Sequence, residues 1–181
     1  MGLTYLQEDL VIIRQSTPED LAALEAIYPA AFPDEDLLPL VRSLETNEPR
    51  VLSLVAVNDG EVLGHAAFTF CTAGQSETPL AMLAPLCVAP NHHKQGLGSA
   101  LVKEGFDRLK AQSVEKVLVL GDPAYYSRFG FSQENDIQTP YPLPEEWAQA
   151  WQSVSLGPAL RVASGSLNLP PVWMDPALWS A

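Results

Sequence analysis

The feature that most constrains the fold is a strand, a long amphipathic helix and a second strand that follow one another between residues 80 and 120. Leu80–Val88 is a β-rich run, and the continuous apolar run at Val117–Leu120 is typical of a strand buried on both faces. Between them, Gly96–Gln112 repeats apolar residues at helical spacing. Strands joined by a helical crossover lie parallel, so the chain is predicted to contain a βαβ unit in an α/β fold.

Upstream of this unit, the sequence predicts a mixture of helices and strands. A helix-start signature with an early proline precedes the first helix, and Asn58-Asp59-Gly60 is a strong hairpin turn. The predicted elements are a strand at Val11–Ile13, a helix from Pro18 to about Tyr28, a helix from Glu35 to Leu44, and hairpin strands at Val51–Val57 and Val62–Phe70.

Downstream, Asp122-Pro123 is typical of an N-cap followed by the first helical residue. One or two strands are predicted between residues 150 and 166, and the tail carries Trp173 and Trp179. We expect one catalytic domain over residues 1–150, with residues 151–181 supplying C-terminal strands and a Trp/Pro-rich tail packed on it. If the apolar tail were left exposed, it would favour a homodimer.

Two glycines open the long helix, in the segment Gly96-Leu97-Gly98. Free N–H groups at a helix start bind anions, and glycine lets a diphosphate approach the backbone. Ser99 and Ala100 do not complete a nucleoside-triphosphate loop, and Leu101 stands where a dinucleotide-binding segment needs a third glycine. The remaining class is a loop for the pyrophosphate of coenzyme A.

Two blocks of sequence together resemble the GNAT superfamily of N-acetyltransferases. The first, Val88-Ala89-Pro90 to Gly98, is similar to the pyrophosphate-loop signature, with His93 where glutamine or arginine is usual. The second, Gly121-Asp122-Pro123 to Phe131, is similar to the segment after the fifth strand of these enzymes, particularly in the YhbS-like subgroup. The resemblance implies a GNAT fold, in which a mixed, mostly antiparallel sheet is splayed at a central parallel strand pair and flanked by helices.

The resemblance also implies acetyl-CoA as the acyl donor, with no metal. The pantetheine arm would lie beside the end of the strand at residues 86–88, where Pro85 lacks an N–H for a regular ladder. The Val88 N–H is the candidate for polarising the thioester carbonyl. The residues expected to bind the cofactor are Leu86, Cys87, Val88, His93, Lys94, Gln95, Gly96, Leu97, Gly98, Ser99 and Tyr126.

Tyr126 is the expected general acid by the same resemblance, because a phenol stays protonated at neutral pH and can protonate the departing thiolate. An aromatic ring packed on the cofactor is the alternative role. His65 is the candidate general base. An equally favoured interpretation is that His65 is a structural residue, hydrogen-bonded within the sheet. Glu25 is a weaker base candidate. Cys87 could be a nucleophile, but a small buried hydrophobe is the favoured interpretation.

The net charge of −12 argues against nucleic acid as a partner. No apolar stretch is long enough to span a bilayer and the N-terminus lacks a secretory pattern, so we expect a cytoplasmic protein that does not enter membranes. Cys71 and Cys87 are predicted to be free thiols. The sequence thus predicts acetyl transfer to a primary amine of a small molecule or peptide, with a non-catalytic acyl-CoA sensor as the alternative.

Overall fold

The structure is a computed structural model that describes residues 4–6, 10–46, 49–158 and 163–180. The chain divides into two compact units. The described parts of residues 1–68, with 85–108, form the first unit, and residues 69–84 with the described parts of 109–181 form the second. Each unit is described by itself below.

The predicted elements are present, and several extend beyond their predicted ends. The strands are β1 (Thr4–Leu6), β2 (Val11–Gln15), β3 (Val51–Asn58), β4 (Glu61–Ala73), β5 (Leu80–Val88), β6 (Lys116–Leu120), β7 (Ser132–Gln133), β8 (Ile137–Gln138), β9 (Trp151–Ser155) and β10 (Gly165–Asn168). The α-helices are α1 (Leu21–Ala31), α2 (Leu38–Leu44), α3 (Leu97–Ala111) and α4 (Pro123–Tyr126).

The bounds of α1 and α2 differ most from the prediction, and α1 itself begins at Leu21, after a 3-10 turn at Pro18–Asp20. Helix α2 begins at Leu38 rather than Glu35, with Pro39 in its first turn. That is where proline is tolerated, because the first-turn N–H groups have no partner inside the helix. Helix α1 continues past Tyr28 and through Pro29, and it ends where the Phe32 N–H bonds the Tyr28 carbonyl at 2.8 Å.

In the first unit, β1, β2 and β3 are antiparallel neighbours and β4 follows β3. The turn between β3 and β4 has positive φ at Asp59 (52°) and Gly60 (81°), as a two-residue type I′ hairpin requires. Helices α1 and α2 pack on this sheet through one apolar cluster, whose buried members are Leu24, Tyr28, Val41, Val55, Val57, Val62 and Cys87. The predicted hairpin is therefore confirmed.

Helix α3 buries the apolar face that the sequence predicted. Leu101 and Val102 are fully buried, whereas Lys103 is exposed. The helix passes so close to β4 that a Cβ atom on Gly105 would lie 2.2 Å from the ring of Phe68. Only glycine fits at this crossing.

In the second unit, β5 and β6 are parallel, with Leu80 to Met82 paired to Lys116 to Leu118. Strand β9 lies antiparallel beside β6, and β7 lies antiparallel beside β9. Strand β10 pairs antiparallel with the end of β4 and parallel with β8. The βαβ prediction and the mixed, mostly antiparallel sheet with a parallel pair are confirmed.

Hydrogen bonds from two tryptophans anchor the C-terminal tail. The Trp173 indole N–H donates to the Thr69 hydroxyl at 3.1 Å, and the Trp179 indole N–H donates to the Trp173 carbonyl at 2.9 Å. Both side chains are buried. The two tryptophans of the tail therefore do not form an exposed apolar surface, although Met174 between them is 44% exposed.

Both cysteines are buried and free, as predicted, and burial raises the pKa of each thiol to about 12. None of the helices that the structure describes is long and apolar enough to cross a membrane.

Candidate active site

The loop before α3 has the geometry of an anion-binding helix start. Its backbone turns sharply, with positive φ at Lys94 (62°) and Gly96 (79°). The first hydrogen bond of the helix runs from the Ala100 N–H to the Gly96 carbonyl at 3.0 Å. The amides of residues 97–99 therefore precede the hydrogen-bonded part of the helix and can donate to a ligand. A Cβ built on Gly96 meets nothing within 4 Å, so the space above this turn is open.

His93 lies where the resemblance led us to expect glutamine or arginine. Its Nε2 atom donates to the Val88 carbonyl at 2.8 Å, while the side chain itself is exposed. The imidazole thus fastens the loop to the end of β5. A second, longer contact joins His92 Nδ1 to Gln95 Oε1 at 3.4 Å.

The end of β5 is held closely against β4. The Ala89 N–H bonds the Leu63 carbonyl at 2.8 Å, and a Cβ on Gly64 would come within 3.1 Å of the Cys87 carbonyl oxygen. Leu86 and Val88 are partly buried and Cys87 is 1% exposed. With its thiol pKa raised to about 12, Cys87 is not a thiolate at neutral pH, which favours the hydrophobic role over a nucleophilic one.

Tyr126 stands at the end of α4, in the second unit. The Asp122 carboxylate caps this short helix by accepting from the Ala124 N–H at 2.9 Å, as the sequence predicted. The Tyr126 ring packs against Phe131 at 5.6 Å between centroids and over Gly121, whose Cβ would collide with it at 2.3 Å. Burial, and then the neighbouring Tyr125, raise the pKa of the Tyr126 hydroxyl above its usual value, so it stays protonated at neutral pH.

His65 is fully buried in the first unit and contacts three polar side chains. Its Nδ1 atom lies 2.6 Å from the Tyr28 hydroxyl. Its Nε2 atom lies 2.8 Å from the Ser53 hydroxyl and 3.0 Å from the Glu45 carboxylate. Glu45 also accepts from Ser16 at 2.7 Å. The side chain is therefore in a hydrogen-bonded network rather than in open contact with solvent.

Sequence reasoning found His65 but missed its three partners. Tyr28 was identified only as the approximate end of the first predicted helix, while Glu45 and Ser53 carried no motif. The partners are 12 to 37 residues away from His65 along the chain, so only the folded structure brings them together. Glu25, the weaker base candidate, forms a 2.6 Å ion pair with Arg42 at the surface.

Each unit contains a cavity. In the first unit, a cavity of about 330 Å³ lies between α1 and α2, and its wall includes Tyr28, Phe32, Asp34, Glu35 and Asp36. In the second unit, a cavity of about 560 Å³ is lined mainly by residues 133–143 and Trp151. In the described part of the chain, His, Cys, Asp and Glu residues do not form a group of three that could hold a metal ion.

The mixed sheet with its parallel pair, together with the glycine-flanked start of α3, defines an acyltransferase of the acyl-CoA-dependent class. The model of the acetyltransferase (GNAT) family matches residues 21–131, which is more than half of the chain. The chain belongs to this family.

Similar proteins support the same assignment. The uncharacterized N-acetyltransferase YjhQ of Escherichia coli is 33% identical over 150 residues, covering 80% of this chain and 82% of YjhQ. The crystal structure of the GNAT-family N-acetyltransferase YhbS from Escherichia coli in complex with CoA has a TM-score of 0.83, at 30% identity, covering 95% and 96% of the two chains. A Brucella melitensis GNAT acetyltransferase in complex with acetyl-CoA has a TM-score of 0.74, at 28% identity, covering 91% and 99%.

Proposed function

We propose that this enzyme binds acetyl-CoA at the start of α3 and moves the acetyl group directly to a primary amine of a small-molecule or peptide acceptor. The observation that carries the proposal is the set of amides at residues 97–99, which precede the hydrogen-bonded part of α3 beside the open space at Gly96. A diphosphate placed there would accept from these amides and from the positive end of the helix dipole. The CoA and acetyl-CoA complexes of two similar proteins support this choice of ligand.

The cofactor-binding residues that we propose are those expected from the sequence. The loop from Lys94 to Ser99 would hold the pyrophosphate through its backbone, while Leu86, Cys87 and Val88 would hold the pantetheine arm. His93 would act indirectly, because its Nε2 atom is engaged with the Val88 carbonyl. It would fix the loop relative to the strand end rather than grip a phosphate with that nitrogen.

Acetyl transfer needs a polarised carbonyl and a proton for the leaving thiolate. We propose that the Val88 N–H polarises the thioester carbonyl and that Tyr126 supplies the proton. The Tyr126 hydroxyl does not hydrogen-bond to any of the described residues, and its raised pKa keeps the proton in place until a thiolate forms. His65 is our proposed general base.

The acceptor is proposed to be cationic in its free form. The cavity between α1 and α2 carries Asp34, Glu35 and Asp36 in its wall, and the whole chain is strongly acidic. Such a wall would attract polyamines, amino sugars, lysine side chains or peptide N-termini over anionic amines. The second cavity, near residues 133–143, is the alternative acceptor region.

Thermal unfolding with acetyl-CoA, longer acyl-CoAs, free CoA and NADH tests the binding half of this proposal. Acetyl-CoA at 100 times its dissociation constant should add about 2.7 kcal/mol to the free energy of unfolding. A larger shift with NADH than with acetyl-CoA would contradict the assignment. Release of CoA in the presence of an amine panel tests the catalytic half, and binding without turnover of any amine would favour the acyl-CoA sensor.

We also propose that residues 1–150 and 151–181 act as one catalytic domain in the cytoplasm. The expectation of a homodimer stays a prediction, and light scattering of the purified protein at several concentrations would test it. A concentration-independent monomer mass would refute it.

A further inference from the structure

A chain of hydrogen bonds runs from Tyr28, a residue of the α1–α2 cavity wall, to the partly buried carboxylate of Glu45. Tyr28 forms part of that wall. Its hydroxyl contacts His65 Nδ1 at 2.6 Å, and His65 Nε2 contacts Glu45 at 3.0 Å. Tyr28 and His65 are 1% and 0% exposed. All of these residues belong to the first unit.

The charge of Glu45 determines which group donates in each of these hydrogen bonds. Burial tends to raise the pKa of Glu45, but hydrogen bonds from His65, Ser53 and Ser16 outweigh it, and the net pKa is lowered. Glu45 is therefore an ionised carboxylate that can only accept. A neutral His65 then carries its hydrogen on Nε2, and the lone pair on Nδ1 accepts the hydrogen of the Tyr28 hydroxyl.

In this arrangement the Tyr28 hydroxyl donates its only hydrogen to His65. Its oxygen keeps lone pairs that can accept a hydrogen bond from another donor. An ammonium group is a donor of that kind, and the acidic side chains of the cavity wall would concentrate it there. Burial, and then Cys87 and Glu45, raise the pKa of Tyr28 well above its usual value, so the phenol can relay a proton without ionising.

We propose that His65 is the general base of acetyl transfer and acts through Tyr28, with Glu45 as its positioning residue. This inference rests on the proposed acetyltransferase function and names the device that deprotonates its acceptor. The acceptor N–H bond breaks and a new O–H bond forms on Tyr28. At the same time the former Tyr28 O–H proton moves to His65 Nδ1, leaving a neutral amine to attack the thioester.

The partly buried carboxylate of Glu45 makes this proton transfer favourable. Before transfer the His65–Glu45 pair carries a charge of −1, and afterwards the imidazolium and the carboxylate neutralise each other. A buried imidazolium without such a partner would be costly. The titratable groups facing Tyr28 are His65, Cys87 and Glu45, and the carboxylates in the cavity wall are Asp34, Glu35 and Asp36.

The decisive variant is Tyr28→Phe, which removes only the hydroxyl and keeps the ring. With an accepted amine, we expect kcat near neutral pH to fall about 100-fold, the usual contribution of a positioned base, while the acetyl-CoA thermal shift is unchanged. The loss should shrink as pH rises through the pKa of the acceptor amine, because the amine then arrives deprotonated. Ser76→Ala, which removes a hydroxyl outside the network, should keep the native pH profile.

Glu45→Gln tests the positioning residue. The amide keeps a hydrogen-bonding side chain but removes the charge that stabilises the imidazolium, so kcat should fall while KM for the amine changes little. If Tyr28→Phe or Glu45→Gln turned over the amine with the native kcat and pH profile, the relay would be refuted. If the native protein bound no acetyl-CoA or released no CoA with any amine, the proposed function itself would fail instead.

Nitrogen NMR of the native protein tests the relay without any variant or turnover. The His65 ring should show its hydrogen on Nε2 and a lone pair on Nδ1. A hydrogen on Nδ1 would mean that Tyr28 accepts from His65, which would overturn the proposed direction of proton transfer.

Discussion

Gly121 leaves no room for a side chain beside the ring of Tyr126, because a Cβ there would lie 2.3 Å from that ring. The ring is also packed by Tyr125 and Phe131. A phenol confined on several sides has few orientations, which is what a proton donor needs if it is to meet the leaving sulfur at each turnover.

Tyr126→Phe should therefore remove the proton donor and little else. We expect kcat to fall about 100-fold while the thermal shift with acetyl-CoA stays close to the native value, because the ring contacts remain. The measurement is CoA release with the best amine of the panel, together with thermal unfolding. Ser76→Ala, which removes a hydroxyl outside the candidate site, is the control. Equal activity of Tyr126→Phe and this control would indicate that Tyr126 only packs.

The individual residues of the candidate site differ in how far the sequence revealed them. Gly96 and Tyr126 lie in contiguous segments whose spacing alone indicated a role. Glu45 and Tyr28 do not lie in such segments. A carboxylate after α2 and a tyrosine on the apolar face of α1 have many ordinary structural roles. Their meaning comes from contacts with His65 that form only when the helices dock on β3 and β4.

Among the elements, α3 combines two demands on glycine that differ in kind. A Cβ atom on Gly96 would have open space around it, but the residue adopts φ of 79°, which favours glycine. Gly105 has no positive φ, but a Cβ atom there would collide with the Phe68 ring. The first serves the turn that presents the amides, and the second lets the helix approach Phe68. Substitutions at the two positions should therefore have different outcomes.

Gly96→Ala should weaken acetyl-CoA binding more than Gly157→Ala, a glycine with open space and no positive φ. An alanine side chain at a left-handed φ costs roughly 1 kcal/mol, and the turn would relax by shifting the amides that follow it. Titration calorimetry with acetyl-CoA measures the difference. An unchanged dissociation constant would show that the Gly96 turn does not set the position of the binding amides.

Gly105→Ala should instead lower the stability of the fold. The added methyl would meet the Phe68 ring, which is fully buried and cannot swing away, and overpacking of this kind typically costs about 1–3 kcal/mol. Urea unfolding of Gly105→Ala and Gly157→Ala gives the comparison. Equal midpoints would mean that the helix can move away from β4 without cost.

Most helices and strands could be predicted from the sequence, because the spacing of hydrophobic residues and the identity of turn residues are local signals. The ends of α1 and α2 were less predictable. The sequence placed the end of the first helix at about Tyr28 and the start of the second at Glu35, yet α1 includes Pro29 in its last turn and α2 begins at Leu38 with Pro39 in its first turn. The short strands β7 and β8 were not predicted, because two residues carry no periodicity.

For the molecule as a whole, several carboxylates have a lowered pKa, and they link stability to pH. Asp20 is the clearest case: the hydrogen bond from Arg14 lowers its pKa, at distances of 2.7 and 2.9 Å to the two carboxylate oxygens. A group with a folded pKa below its unfolded value of 3.8 stabilises the fold above that value, and the contribution is lost as pH falls through the folded pKa.

We therefore expect the free energy of unfolding to be steady near neutral pH and to fall below about pH 4. Asp20→Asn should be less stable by about 1–2 kcal/mol at pH 7, after discounting for the partly exposed Arg14, and the difference should shrink in acid. Urea unfolding at several pH values, followed by far-UV circular dichroism, measures this, with Glu61→Gln as the exposed control. A difference that grew in acid would contradict the linkage.

All four tryptophans, Trp147, Trp151, Trp173 and Trp179, lie in the second unit, whereas the His65 network and helices α1 and α2 lie in the first. Intrinsic fluorescence therefore reports on one half of the molecule, and the ellipticity of α1 and α2 comes from the other. Superimposable denaturation curves from the two signals would mean that the halves melt as one. An emission change that lagged behind the ellipticity would reveal a species whose indoles are still shielded after His65 has become exposed to solvent.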